Sequence, residues 1–164
     1  MKYKYLQQYP ANILQQVDQL IVQDKLGPML KKKYPDFHQV RTSKALYQYT
    51  NELKNRYMRK AAALDKVEYS DKAPAYNALG VHKRISKSHG GKLKARKEIY
   101  IDKSFIEYPE PFLRMIVVHE LAHLKEMDHN KAFYNLCCHM EPDYHQLEFD
   151  LRLYLTWLDM EKAA

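Results

Sequence analysis

The sequence predicts an α+β fold, with helices at both ends of the chain and a small, mainly antiparallel sheet between them. Apolar residues recur at helical spacing in the first and last thirds of the chain, whereas short segments in the middle alternate with the period of β-strands. The chain has 164 residues and contains no repeat, low-complexity segment or linker. Because this length is ordinary for one domain, we predict a single domain over residues 1–164.

Two amphipathic helices are predicted in the N-terminal part of the chain. The first is indicated by apolar residues at helical spacing, namely Ile13, Val17, Leu20 and Ile21. We expect it to stop at Gly27-Pro28, because glycine and proline end helical patterns. The second is expected to follow Thr42-Ser43 and to bury one stripe of residues: Leu46, Thr50, Leu53 and Tyr57.

Short strands are predicted in the middle of the chain, where the apolar period changes. They cover residues 67–69, 81–85 and 99–101. The sequence His89-Gly90-Gly91-Lys92 is typical of a hairpin turn, since glycine accepts the backbone angles that such turns require.

Three further helices are predicted after the sheet. Pro109 and Pro111 introduce the first, and proline is compatible with the first turn of a helix. The second runs from about residue 131 to about residue 140. The third starts near Asp143 and carries an apolar stripe formed by Leu147, Leu151, Tyr154, Leu155 and Leu158.

The first of these C-terminal helices carries the pattern His119-Glu120-Leu121-Ala122-His123. Residues four positions apart lie on one face of a helix, so the two imidazoles can converge on one metal ion. Glu120 follows the first histidine directly and would therefore lie beside the metal as a base that holds a water molecule. The apolar lead-in predicts that this helix is buried, and buried polar groups need partners such as a metal.

The third ligand is predicted to be His129, ten residues after His119. The segment before Asn130 is typical of one helix ending and a capped helix starting, and such a turn can return the chain to the metal. Many chains with this spacing have glycine where this one has Glu126, so the turn must avoid a left-handed conformation there. Glu141 and Glu148 are the alternative ligands, each from a later helix.

These residue types point to a catalytic Zn²⁺ site, although another divalent transition metal such as Ni²⁺ fits the same ligands. A catalytic zinc uses three protein ligands and lowers the pKa of its water from about 15.7 to about 7. Glu120 can then accept the proton and later pass it to the leaving group. His139, Tyr144 and His145 lie downstream, where a group could stabilise developing charge, but we interpret them as surface or packing residues.

Three segments of the chain together resemble the signature of the YgjP-like metal-dependent hydrolases, a small group similar to zincin metallopeptidases. These segments are His119-Glu120-Leu121-Ala122-His123, His129-Asn130-Lys131-Ala132-Phe133 and Glu141-Pro142-Asp143-Tyr144. The resemblance implies a compact zincin-like α+β domain, with His119, His123 and His129 as metal ligands and Glu120 as the catalytic base. One segment departs from many relatives, which carry Trp-Gly-Ser where this chain reads Ala78-Leu79-Gly80-Val81-His82.

A cluster of basic residues and a net charge of +7 suggest contact with a polyanion. No acidic residue interrupts residues 81–97, which contain Lys83, Arg84, Lys87, Lys92, Lys94, Arg96 and Lys97. The alternative is a solvated hairpin whose lysines protect a sheet edge. Aromatic residues do not alternate with these bases, so we expect no stable nucleic-acid partner.

The cysteines and the apolar segments indicate a cytoplasmic protein. Cys137 and Cys138 are adjacent, and neighbours on a helix do not readily form a disulfide, so we expect reduced, half-buried residues. The N-terminal segment lacks the apolar core of a signal peptide, and no apolar stretch approaches 20 residues. We therefore expect no membrane association.

Three functional hypotheses follow from these observations. The first is a zinc-dependent metallopeptidase in which Glu120 activates water for attack on a peptide bond. The second is a nucleoside triphosphate (UTP) pyrophosphatase that uses the same metal site, because part of the family resembled is described in that way. The third is a non-enzymatic module stabilised by zinc, and it is the weakest, since a structural site has no use for Glu120.

Overall fold

Helices at both ends of the chain and short strands in the middle confirm the predicted α+β class. The computed structural model describes residues 3–71, 87–89, 92–94 and 97–164, with only the backbone of 87–89 and 92–94. The chain divides into two compact units, one formed by Met1–Asp36 with His145–Ala164 and the other by Phe37–Tyr144. Whether the chain is one domain stays a prediction.

Six α-helices lie in the described part of the chain. They are α1 (Ala11–Val22), α2 (Leu26–Lys33), α3 (Ser43–Tyr57), α4 (Glu110–Ala122), α5 (Lys131–Met140) and α6 (Tyr144–Ala163). Side chains cap two of them where the sequence predicts a start. The Thr42 hydroxyl accepts from the Ala45 backbone N–H at 3.1 Å, and the Asn130 side chain accepts from that of Phe133 at 2.9 Å. The described helices include none that is long and apolar enough to cross a membrane.

The prediction that Gly27-Pro28 ends the first helix is wrong. Helix α1 ends at Val22, and the two residues lie in the first turn of α2 instead. Proline is tolerated there because the first backbone N–H groups of a helix have no partner within it. Asp24, which joins the helices, has φ of 55°, a left-handed conformation that aspartate adopts more readily than most residues.

Within the described residues, four short strands form two separate pairs. Strand β1 (Lys66–Ser70) pairs with β4 (Glu98–Asp102) in parallel, and β2 (Lys87–His89) pairs with β3 (Lys92–Lys94) antiparallel. The mainly antiparallel sheet that we predicted is therefore corrected, since the longer of the two pairs, β1 with β4, is parallel. The hairpin around residues 89–92 is present, with His89 opposite Lys92. The predicted strand at residues 81–85 lies outside the described residues, as do the two glycines of the turn.

Helix α4 is the centre of the larger unit. It packs against α3, α5, β4 and the 3-10 helix Lys103–Glu107 that precedes it. Eight of its apolar side chains have no exposed surface: Phe112, Leu113, Met115, Ile116, Val117, Val118, Leu121 and Ala122. A helix that is apolar on every side must be covered on every side. The polar residues at its C-terminal end are therefore carried into the interior.

In the smaller unit, α2 approaches the side chain of Trp157 on α6 closely. A Cβ atom placed on Gly27 would lie 2.6 Å from Nε1 of Trp157 and 2.9 Å from its Cε2. The space between the Gly27 backbone and the Trp157 indole is too small for a side chain, so position 27 requires glycine.

We expect Gly27→Ala to lower the free energy of unfolding by about 1–2 kcal/mol. Forcing a methyl group into a packed contact costs about 1–3 kcal/mol, which outweighs the gain of about 0.5–1 kcal/mol from replacing a helical glycine. Urea unfolding of the single variant, of Trp157→Ala and of the double variant measures this. If Gly27→Ala is equally destabilising in the Trp157→Ala background, the indole is not the cause.

Candidate metal centre

The two histidines of the His-Glu-x-x-His pattern lie at the buried end of α4. His119 is within the helix and His123 is its C-terminal cap, with φ of −67° and ψ of −14°. Because these are helical angles, the two side chains keep the one-turn spacing that places them on the same face. Each is only 2% exposed.

A short turn then returns the chain so that His129 faces the first two histidines. The turn is held by backbone hydrogen bonds from Glu126 N–H to the Ala122 carbonyl at 2.9 Å and from Asn130 N–H to the Asp128 carbonyl at 2.8 Å. Among the described residues other than glycine, Asp24 alone has positive φ, so Glu126 avoids the left-handed conformation as the sequence required. His129 itself is half-buried.

The three imidazoles converge on one point. Nε2 of His123 lies 3.2 Å from Nε2 of His119 and 3.0 Å from Nε2 of His129, and the set offers ligand atoms all within 4.8 Å of one another. Two ligands at about 2.0–2.1 Å from a tetrahedral zinc ion are separated by about 3.3–3.4 Å. The observed separations are close to this value, so the three residues fit a metal ion.

The proton on His123 can be assigned from its hydrogen bond. Its Nδ1 lies 2.9 Å from the backbone carbonyl oxygen of Glu126, which can only accept. Nδ1 must therefore carry the proton, and in the neutral imidazole Nε2 then has a lone pair directed at the other two rings. This lone pair can bind a cation, or it can accept a hydrogen bond from an Nε2–H of His119 or His129. The donor set is therefore compatible with a bound cation.

His119 also has a partner on its second ring nitrogen. Nδ1 of His119 lies 2.8 Å from the hydroxyl of Tyr144, the first residue of α6, whose side chain has no exposed surface. The sequence analysis interpreted Tyr144 as a packing residue and missed this contact. No spacing rule links the two residues, since they lie 25 positions apart.

Phe133 packs against all three imidazoles. Its ring centroid lies 5.0 Å from that of His119, 4.5 Å from that of His123 and 4.9 Å from that of His129. It is fully buried at the start of α5, where the Asn130 cap fixes the direction of the helix. Apolar packing of this kind holds ligand side chains in single orientations and excludes water from their flank.

Residues 13–154 match the sequence model of the YgjP-like, metallopeptidase domain family. The chain belongs to this family. It is also 58% identical over 157 residues to a protein of Escherichia coli (strain K12) described as "UTP pyrophosphatase", a match that covers 95% of this chain and 94% of that relative. No solved structure is significantly similar to it. Family membership and the histidine cluster make this YgjP-like chain a metal-dependent hydrolase, with a divalent metal as the indicated cofactor.

The remaining residue of the YgjP-like motif is Glu120, the predicted catalytic base, which follows His119 on α4. Its side chain is 8% exposed, so it lies at the boundary between the packed helix and the solvent. The role of Glu120 as a base stays a prediction.

The two alternative ligands are engaged elsewhere in this YgjP-like chain. The carboxylate of Glu141 accepts from Nε of Arg114 at 3.1 Å and from the Asp143 backbone N–H at 2.9 Å. Glu148 pairs with Arg152 at 3.2 Å. In the described part of the chain, the three histidines form the single group of this kind that could hold a metal. These contacts favour His129 as the third ligand.

Other predicted residues lie away from the cluster or outside the described residues. The His139 ring packs on Tyr57 at 5.5 Å between centroids, and His145 is exposed. Cys137 and Cys138 are not in a disulfide, and burial raises the pKa of the Cys138 thiol. The structure does not describe Ala78–His82, nor the side chains of the basic cluster up to Arg96, so the polyanion contact stays a prediction.

Proposed function

We propose that this chain hydrolyses UTP to UMP and diphosphate, with a divalent ion held by His119, His123 and His129. The observation that carries the proposal is the 58% identity, over nearly the whole chain, to a relative described as "UTP pyrophosphatase". Fold and family likeness alone do not fix a substrate, but an identity this high over the full length is a much narrower resemblance. The histidine cluster supplies the chemistry that such a reaction needs.

The ligand set supports zinc as the first choice of metal. Imidazole nitrogens suit Zn²⁺, and three protein ligands leave a position free for water or substrate. Ni²⁺ also accepts imidazole ligands, so it stays an alternative. When bound, the ion supplies Lewis-acid polarisation and offsets negative charge on the phosphates.

The protein's own residues then hold the ion and move the proton. His123 is oriented by the Glu126 carbonyl, and the buried walls around His119 keep competing water away. Glu120 accepts a proton from the attacking water as a phosphorus–oxygen bond forms. The bond to the leaving phosphate oxygen breaks, and the same carboxyl group can return the proton to that oxygen.

Peptide hydrolysis is the second candidate function. The family is described as a metallopeptidase domain, and the same metal and base can attack a peptide carbonyl. An extended peptide could bind by adding to a strand edge, but the Tyr69 backbone N–H of β1 already donates to the Ser43 hydroxyl at 3.1 Å. The basic segment of residues 83–97 favours the nucleotide instead, by its charge.

Substrate assays on the zinc-loaded protein separate the two candidates. We expect UTP to yield UMP and diphosphate, measured by chromatography, while an unfolded protein such as reduced casein stays intact on gels. The matched control is the same protein stripped by a chelator and then reloaded with zinc, which should lose and regain the activity. Cleavage of casein without turnover of UTP would reverse the order of the candidates, and turnover of neither would reject both.

A further inference from the structure

We propose that Tyr144 is a positioning residue, whose hydroxyl fixes His119 in the orientation and tautomer that present Nε2 to the metal. The proposal rests on the metal site of the proposed function and adds a residue to it. Tyr144 would not touch the substrate. It would act through His119.

The geometry of the contact supports this role. The Tyr144 hydroxyl lies 2.8 Å from Nδ1 of His119, a full-strength hydrogen bond, and the two ring planes are inclined by 20°. Tyr144 has no exposed surface and His119 is 2% exposed. Because water has so little access to His119, we expect the protein to provide the partner for Nδ1.

The tautomer follows from the direction of the hydrogen bond. If Nδ1–H of His119 donates to the Tyr144 oxygen, Nε2 carries the lone pair that a metal requires. If the hydroxyl donated instead, the neutral ring would carry its proton on Nε2, pointing into the cluster. Only the first arrangement leaves a lone pair on Nε2 of His119 for a cation, whereas in the second Nε2–H would donate to Nε2 of His123 at 3.2 Å.

The two deeply buried histidines thus have matching supports. His123 donates from Nδ1 to a backbone carbonyl at 2.9 Å, and His119 donates from Nδ1 to a hydroxyl at 2.8 Å. Hydrogen bonds of this kind orient metal-binding histidines and raise their basicity. Loss of such a partner typically costs about 10- to 100-fold in metal affinity.

Metal affinity of Tyr144→Phe is the first test. The substitution keeps the ring and removes only the oxygen, and we expect zinc affinity, measured by competition with a chromophoric chelator, to fall at least about tenfold. Tyr69→Phe is the matched control, because Tyr69 is also buried in the larger unit and donates to the Val40 carbonyl at 2.6 Å. Equal losses in both variants, or no loss in Tyr144→Phe, would overturn the proposal.

The tautomer of His119 is the second test and needs no metal and no activity. Long-range ¹H–¹⁵N correlation spectra of the metal-free protein distinguish a proton on Nδ1 from one on Nε2. We expect Nδ1–H in the wild type and in Tyr69→Phe, with a rise of the Nε2–H form in Tyr144→Phe. A wild-type His119 protonated on Nε2 refutes the proposal even if the variant fails to fold.

The two proposals fail in different experiments. A wild-type protein that binds zinc but hydrolyses neither UTP nor casein would defeat the proposed function, while the affinity and tautomer results would still decide the role of Tyr144. Conversely, normal UTP turnover with unchanged zinc affinity in Tyr144→Phe would leave the function standing and remove the positioning role.

Discussion

His129→Ala is expected to lose most of its bound metal. Loss of a residue that only orients a ligand lowers metal affinity by up to about 100-fold. Removing a direct ligand should lower zinc affinity by more than that. His129 is the half-buried member of the cluster, so alanine at this position should disturb packing less than at His119 or His123. Metal analysis of the purified variant after dialysis, together with circular dichroism to confirm folding, measures this effect.

Three control variants make the His129 result specific. Glu141→Ala and Glu148→Ala remove the alternative ligands, and His145→Ala removes an exposed imidazole outside the cluster. All three should retain nearly stoichiometric metal. If a glutamate variant loses the metal while His129→Ala keeps it, the ligand assignment is wrong.

Glu120→Gln is expected to keep the metal but lose about 100- to 10,000-fold in turnover. A glutamine side chain can hold a water molecule by a hydrogen bond, but it cannot take a proton from it. The side chain is nearly the same size and lies at 8% exposure, so the packing of α4 should be preserved. Steady-state rates and metal content of the same preparation measure both effects.

The control for Glu120 is another carboxylate on the same helix. Glu110 accepts a hydrogen bond from the Tyr49 hydroxyl at 2.6 Å in the first turn of α4, far along the helix from the cluster. The turnover of Glu110→Gln should be close to that of the wild type. Wild-type turnover in Glu120→Gln, on whichever substrate the protein cleaves, would exclude proton transfer by this residue.

Much of the fold could be predicted because helix signals are local. The cap at Asn130 and the spacing of apolar residues gave α5 its observed bounds, Lys131–Met140. Strand pairing is not local. The period of residues 67–69 and 99–101 indicates two strands, but nothing in it says that they pair with each other in parallel. The prediction that Gly27-Pro28 ends the first helix was wrong for a related reason, since the same pair can end one helix or begin the next.

The cluster was predictable to the extent that its residues lie on consecutive elements. His119 and His123 follow from helical spacing, and His129 from the turn and cap after them. The contact between His119 and Tyr144 depends on how α6 begins relative to α4, which is a tertiary property. The sequence analysis considered Tyr144, but no spacing rule predicts that its hydroxyl contacts the imidazole of His119.

His123 is oriented by a backbone group, the carbonyl of Glu126, and not by a side chain. Residue 126 is half-buried, but its contact with Nδ1 of His123, at 2.9 Å, uses only the carbonyl oxygen that every residue carries. Since φ there is not positive, glycine has no advantage either. The support of His119 comes instead from one particular side chain, Tyr144. We therefore expect position 126 to tolerate more substitutions than position 144, which requires a residue that can accept a hydrogen bond.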